Sequence, residues 1–550
     1  MATIEDRVAN FQFKVWLRKN RKTVIFLVLL VCLAYGNSLK GDFVSDDTRS
    51  ILNNPNIDRL DYAFRESTTF LRPLFYFAIK KTFGLNPLFF RLVNIFFHLG
   101  TVLIIYLLVN LLINPKVALF SAAILAVHPI QTEAISWITG GIYVQYSFFL
   151  VLSLLLYSLS LKNRKLFFVS VACFILALLS SVQAAVFPLI VFLFVFSFDS
   201  LRKNWKRLSV FFAIAGIWVV ANLFKITDRI TTLENSFYKK PELLNPFIQV
   251  PIAITSYLEL IFWPKGLTLY HSEMAFSQSE YIIRLILFII FLGIAIFSFK
   301  KRREIFFWLS FFVASLLTFL TPFGISWIVA ERYVYLGAMG IFVIIALGIQ
   351  RLGEIKKLKM AANLLFVLII IALSLRTFGR NIDWRNEDNL WLATAKTSPS
   401  SPNTHNNLGD VYSRRGDLER AASEFKLAIR IKPGYADAYH NLAHTYQRMG
   451  KILEAADSYQ KAIHFNPNLW QSHQNLAGIY YQQKKFVLAK ENLENAVKAN
   501  PNNPGLLANL GIAYLALGEK VQAEDVFQQA LSLDPDSQMA KKGLGLLKTP

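Results

Sequence analysis

Two adjacent carboxylates, Asp46 and Asp47, close the run Phe43-Val44-Ser45-Asp46-Asp47 directly after the first long apolar stretch, 23–39. Charge at the mouth of a membrane helix is costly and usually functional. What a carboxylate offers there is proton transfer or cation binding. The same residues also fit a helix start, with Ser45 or Asp46 capping a short helix through Ile51 and the other Asp favoured by the dipole. The chain carries no Walker-type loop, zinc-ligand spacing or nucleophile elbow. Its two cysteines, Cys32 and Cys173, lie inside apolar stretches and read as packing residues rather than a disulfide.

The elements that must hold such a pair are membrane helices. Of 550 residues, 54% are hydrophobic, and apolar stretches of about 18 or more residues recur. Eleven spans are expected: 23–39, 88–112, 116–138, 142–161, 165–181, 184–198, 207–226, 281–299, 304–321, 334–350 and 360–378. The net charge of +22 does not point to nucleic acid, because Lys and Arg gather in short loops between the apolar stretches. With a cytoplasmic N-terminus, the basic clusters at 162–165, 202–207, 300–303 and 351–359 all lie on the cytoplasmic side, and the C-terminus emerges outside. Ala34-Tyr35-Gly36 is a poor cleavage site, so the first stretch reads as an uncleaved anchor. Segment 246–263 is expected as an interfacial or re-entrant helix within an external region, 227–280. Segments 40–87, 128–141 and 322–333 then share the outer face, with 70–83 lying along the membrane surface.

Beyond Arg380 the composition becomes that of a water-facing helical domain. Pro399, Pro433, Pro467, Pro501 and Pro535 recur every 34 residues. Leu408-Gly409, Leu442-Ala443, Leu476-Ala477 and Leu510-Gly511 align in the same frame, as do Tyr412, Tyr446, Tyr480 and Tyr514. Small residues where helices cross and a proline ending each pair make this the tetratricopeptide pattern. Four repeats are expected, at 402–435, 436–469, 470–503 and 504–537, after a connecting helix or partial repeat at 383–401 and before a polar cap at 538–550.

Residues 1–382 carry further motifs in order: Arg72-Pro73-Leu74, His128-Pro129-Ile130-Gln131-Thr132-Glu133 and Glu331-Arg332-Tyr333. With Phe43–Asp47 and the repeats, the chain resembles the transmembrane-and-tetratricopeptide O-mannosyltransferase-like (TMTC-type) proteins of the GT-C superfamily. The fold class is therefore all-α: a polytopic GT-C-type membrane bundle followed by a tetratricopeptide solenoid. The resemblance implies an integral membrane enzyme, in the inner membrane of a bacterium or the endoplasmic reticulum of a eukaryote. It implies transfer of a sugar from a polyprenyl-phosphate donor to a protein or surface-glycan acceptor on the extracytoplasmic face. One run departs from the family: Trp137-Ile138-Thr139-Gly140-Gly141-Ile142-Tyr143 has Gly141 and Tyr143 where relatives often carry Arg and an acid.

Inverting transfer from a lipid phosphate needs a base for the acceptor hydroxyl and positive charge on the leaving phosphate. The resemblance makes Asp46 the base, with Asp47 orienting it, contacting the sugar or helping to bind a metal. Some relatives need a divalent cation and others do not, and no clear ligand set stands in this sequence. Arg332 is the first candidate for the phosphate, its fork of donors matching phosphate geometry; the alternative is an interface arginine paired with Glu331. Arg72 is the second. His128 and Glu133 either line the sugar pocket or cap the helix from Gln131, and Glu331 is placed with them.

The repeats offer one more candidate set. Asn407, Asn441, Asn475 and Asn509 precede each Leu-Gly or Leu-Ala pair, 34 residues apart. An Asn amide both donates and accepts, so a ladder of four could hold the backbone of an extended acceptor peptide; the alternative is that they brace the neighbouring helix. Two other classes stay open for the whole chain. One is a non-enzymatic membrane scaffold, favoured by Gly141 and Tyr143. The other is a flippase or polysaccharide polymerase, which would need charges buried mid-span.

Overall fold

The computed structural model describes residues 8–9, 11–65, 70–236, 245–274, 276–320 and 328–547. Every regular element among them is helical. Contacts divide the chain into two compact units, Met1–Ala393 and Thr394–Pro550.

Local sequence explains where the long helices begin. Asn86-Pro87, Asn114-Pro115 and Asn245-Pro246 each open a helix, the Asn side chain accepting from the amides of the first turn and the proline taking the first helical position. The Gln278–Lys301 helix starts on a reciprocal capping box between Ser277 and Glu280. Among the described residues, six helical segments are long and apolar enough to cross a membrane: Phe13–Lys40, Pro87–Leu112, Gly141–Leu159, Gln278–Lys301, Glu331–Glu354 and Lys356–Asp383. A seventh candidate is the pair Pro115–Val127 and Pro129–Ser136, bent by 52°. The other four expected spans fall on three shorter apolar helices, Lys165–Ser180, Phe187–Phe198 and Arg303–Leu316, and on the Leu201–Ser236 helix. Pro246–Phe262, expected as interfacial or re-entrant, is a 17-residue helix with most of its residues buried. Parts of the expected outer segments, 237–244 and 321–327, lie outside the described residues.

The core of this first unit runs through the middle helices, where Ala122, Ala123, Val127, Ala338 and Phe342 are sealed from solvent. By contrast, Gln278–Lys301 buries only Phe291 and Ser298, as suits a helix facing lipid.

The second unit is a stack of four helix pairs. Its first helices are Pro402–Arg414, Ala436–Arg448, Trp470–Gln482 and Pro504–Ala516; its second helices are Leu418–Ile431, Ile452–Phe465, Phe486–Ala499 and Lys520–Leu533. The Gln538–Leu547 helix closes the end. Each pair turns on one residue in the left-handed region: Gly416 (φ +83°), Gly450 (+76°), Lys484 (+58°) and Gly518 (+78°). Three of the four are the glycine this conformation favours; the third repeat has lysine.

Candidate active site

The Asp46–Asp47 loop is fastened from three sides. Arg91, fully buried near the start of the Pro87–Leu112 helix, donates Nη1 to the Gly41 carbonyl and Nη2 to that of Asp42. Its Nε reaches the Ser136 carbonyl at 2.9 Å. Gly41 lies flat on this guanidinium, where a Cβ would stand 2.9 Å from Cζ. Asp42 N donates to the Arg385 carbonyl (2.7 Å) and Ser45 N to Glu387 Oε2 (2.8 Å). Ser45 itself sits at φ +54°, a conformation few non-glycine residues adopt.

The two carboxylates then part company. Asp47 is sealed from solvent, its Oδ1 accepting from Thr139 N (2.9 Å) and its Oδ2 from Val44 N (3.2 Å). Burial pushes its carboxyl up to about 6, against the pull of those two amides and of the Arg91 charge. Asp47 thus ties its own loop to the turn after Trp137. Asp46 is exposed. The chain continues into a wide helical turn, Thr48–Leu52, closed by Asn53 N on the Thr48 carbonyl (2.8 Å), a widened spacing frequent at functional sites. No side-chain cap opens this turn from Asp47.

One turn beyond Asp46, Arg49 and Ser50 line a cavity of about 310 Å³ whose other walls include Arg59, Tyr62, Arg72 and Tyr76. Arg59 is paired with Asp61 at 2.9 Å. Among the described residues neither Arg49 nor Arg72 is paired with a carboxylate, so the cavity presents two uncompensated guanidinium groups. Such a lining suits an anion.

The remaining sequence candidates form a second, buried network. Glu133 accepts from Arg332 N (2.8 Å) and from the Arg332 guanidinium, which lies 4.9 Å from the Tyr333 ring centre and 5.5 Å from that of Trp137. Glu331 instead meets Arg380 (3.3 Å), accepts from Thr268 N and stands 3.8 Å from His271. The adjacent residues Glu331 and Arg332 are therefore not partners, because the tight turn Glu331–Val334 sends them to different neighbours. His128 is buried: its Nδ1 accepts from Ile130 N (3.2 Å), so Nε2 carries the proton and donates to the Ile261 carbonyl (2.9 Å). It caps the turn and braces the Pro246–Phe262 helix.

The family departure has a local explanation. A Cβ at Gly141 would overlap the Asn94 amide, whose Nδ2 lies within 3.3 Å of the carbonyls of Ile135, Trp137 and Ile138. Asn94 thus fills the space and satisfies the turn that follows Glu133. Tyr143 joins the Tyr333 and Phe319 rings around Arg332. Among the described residues no three of His, Cys, Asp and Glu converge as a metal site, and Asp47 has both oxygens on backbone amides. The donor set does not fit a protein-held cation.

Of the repeat asparagines, Asn407 Nδ2 donates to the Asn403 carbonyl (2.8 Å), Asn441 Nδ2 to Asn406 of the preceding repeat (3.0 Å), and Asn475 Nδ2 to Tyr459 (3.1 Å). All four are half-buried.

Sequences of known proteins bear on both units. The protein is 25% identical over 453 residues to the protein O-mannosyl-transferase F38B6.6 of Caenorhabditis elegans, covering 75% of this chain and 63% of that one. The human protein O-mannosyl-transferases TMTC3 and TMTC1 are each 24% identical, over 75% and 74% of this chain and 52% and 54% of theirs. The resemblance is to TMTC-type O-mannosyl-transferases. This chain spans between about half and just under two thirds of the length of these curated relatives. Tetratricopeptide-repeat family models match residues 409–450, 436–469 and 480–545. Among solved structures, the crystal structure of MamA protein is 23% identical with a TM-score of 0.25, over 26% of this chain and 80% of that one.

Two residues that fix the site, Arg91 and Glu387, stand outside every sequence motif. A charge inside an otherwise apolar stretch was the available signal for Arg91. Glu387 had none.

Proposed function

We propose that this chain is a membrane glycosyltransferase that moves a sugar, mannose in the first instance, from a polyprenyl-phosphate donor to Ser or Thr hydroxyls of a protein. The transfer would take place on the extracytoplasmic face. The observation that carries the reading is the exposed Asp46 one turn from a cavity lined by two arginines, Arg49 and Arg72, that have no carboxylate partner among the described residues. The names of the relatives supply the reaction class.

In the proposed step the Asp46 carboxylate takes the acceptor hydroxyl proton as that oxygen bonds to the sugar anomeric carbon. The bond from that carbon to the phosphate oxygen breaks, with inversion. The polyprenyl phosphate leaves with its negative charge held by Arg72 and Arg49. Arg332, the first candidate on sequence grounds, already spends part of its fork on Glu133, which favours Arg72 for this role. Glu133, Glu331 and His128 act at one remove, holding the turns around the site. The repeats would present the acceptor polypeptide.

The test is transfer from a panel of polyprenyl-phosphate sugars to Ser/Thr-containing peptides by the full chain in detergent. Asp46→Asn should abolish transfer with expression and membrane insertion unchanged, and Arg72→Ala should weaken donor binding. Transfer by Asp46→Asn at the wild-type rate would overturn the assignment.

A further inference from the structure

We infer that Glu387 is a positioning residue for Asp46, acting through the backbone of Ser45. The inference rests on the reading of Asp46 as the reacting carboxylate.

Ser45 is one of two non-glycine residues with positive φ among the described residues, and it immediately precedes Asp46. Its dihedral angles set the direction in which the next residue leaves the loop. Local turn bonds, Asp47 N to the Val44 carbonyl (3.1 Å) and Thr48 N to the Ser45 carbonyl (3.2 Å), close around it but give its amide no acceptor, and the left-handed region is unfavourable for a residue with a Cβ. The Glu387 carboxylate supplies the restraint, accepting the Ser45 amide at 2.8 Å in a charge-assisted bond. That carboxylate is itself fixed, because its other oxygen accepts from Trp391 Nε1 at 2.5 Å. Trp391 is buried, with its ring centre 5.9 Å from that of Tyr270. Two residues before Glu387, the Arg385 carbonyl takes the Asp42 amide at 2.7 Å. Segment 385–387 therefore grips the loop at two points three residues apart.

On the far side of Asp46, Asp47 is locked to Val44 N and Thr139 N. Asp46 is thus an exposed side chain on a backbone pinned immediately before and after it. A general base needs this arrangement: a mobile carboxylate in water spends most of its time out of reach of the hydroxyl proton.

The experiment uses the full chain in detergent. Glu387→Ala should lower kcat about tenfold or more with donor KM nearly unchanged, because donor contacts lie elsewhere and only the base is displaced. Amide hydrogen exchange at Ser45 should accelerate by a similar factor, a readout independent of activity. Adding Ser45→Gly should restore part of the lost kcat, since glycine meets no Cβ penalty at φ near +54°. Glu387→Gln, which keeps one acceptor oxygen for the two donors Ser45 N and Trp391 Nε1, should recover part of what Glu387→Ala loses.

Unchanged kcat and unchanged Ser45 exchange in Glu387→Ala would overturn the inference. A loss of kcat that Ser45→Gly fails to repair would also overturn it, by making Glu387 a general support of the fold. The two readings fail separately. Wild-type transfer by Asp46→Asn removes Asp46 as the base, whereas inactive Asp46→Asn beside fully active Glu387→Ala removes only the brace.

Discussion

Replacing Asp47 by Asn separates a structural carboxylate from a reacting one, and its effect on stability can be worked from the geometry. The folded state raises the Asp47 carboxyl from an ordinary 3.8 to about 6, chiefly by burial. A group with a raised folded-state pKa binds its proton more tightly when folded. Its stabilising contribution is therefore complete below about pH 4 and is lost as pH climbs through about 6. The loss at neutral pH amounts to about 3 kcal/mol. Asparagine cannot ionise, so the variant escapes that loss. It keeps one acceptor for two backbone amides, Thr139 N and Val44 N, and the unsatisfied donor costs about 1–3 kcal/mol. Arg91 is not stranded by the change, because three backbone carbonyls still hold it.

The two terms nearly offset at pH 7.5, and Asp47→Asn should then melt close to wild type. At pH 4.5 about 1 kcal/mol of the penalty remains in wild type, and the variant should be the weaker protein by up to about 2 kcal/mol. The assay is thermal unfolding of the full chain in detergent between pH 4.5 and 7.5, comparing wild type with Asp47→Asn. Parallel pH dependence in the two proteins would refute the buried, amide-bonded account of Asp47.

Three further outcomes follow from single observations. Lys484→Gly should stabilise the repeat unit by about 1 kcal/mol, because Lys484 holds at φ +58° the place that glycine fills in the other three repeats; calorimetry of the full chain reads this. Gly141→Ala should destabilise the membrane unit by about 1–3 kcal/mol, since the added methyl displaces the Asn94 amide from three carbonyls; detergent melting checks it. Replacing Asn407, Asn441, Asn475 and Asn509 together by Ala should reduce transfer to protein acceptors while donor hydrolysis persists. Unchanged protein transfer, with circular dichroism showing a folded array, would assign these residues to bracing alone.

The repeat unit was legible because its information is local and periodic. Residues 34 apart see the same neighbours, so small residues such as Ala421 and Ala455 and aromatics such as Phe425 and Tyr459 fall into their places without reference to the rest of the chain. Hydropathy found the long apolar helices for the same reason: a stretch like Pro87–Leu112 declares itself. It overestimated the segment from 304, where the helix runs only from Arg303 to Leu316. Apolar residues that follow in the sequence do not have to follow in the helix.

The candidate residues stand in motifs that the sequence displays, whereas their pairings do not, and the reason is separation along the chain. Adjacent Asp46 and Asp47 look interchangeable in sequence, yet successive side chains on the turn after Ser45 diverge, and Asp46 is exposed while Asp47 is buried. Adjacent Glu331 and Arg332 look like an ion pair, yet Arg332 closes on Glu133, 199 residues earlier, and Glu331 on Arg380. Glu387 reaches Ser45 across 342 residues. Residue type and spacing can nominate a carboxylate or an arginine, but whether it is spent inside the protein or left free for a substrate depends on contacts of this kind. By that criterion Glu133, Glu331, His128 and Asp47 are spent, while Asp46, Arg49 and Arg72 have no side-chain partner of opposite charge among the described residues, which is why the proposed function rests on them.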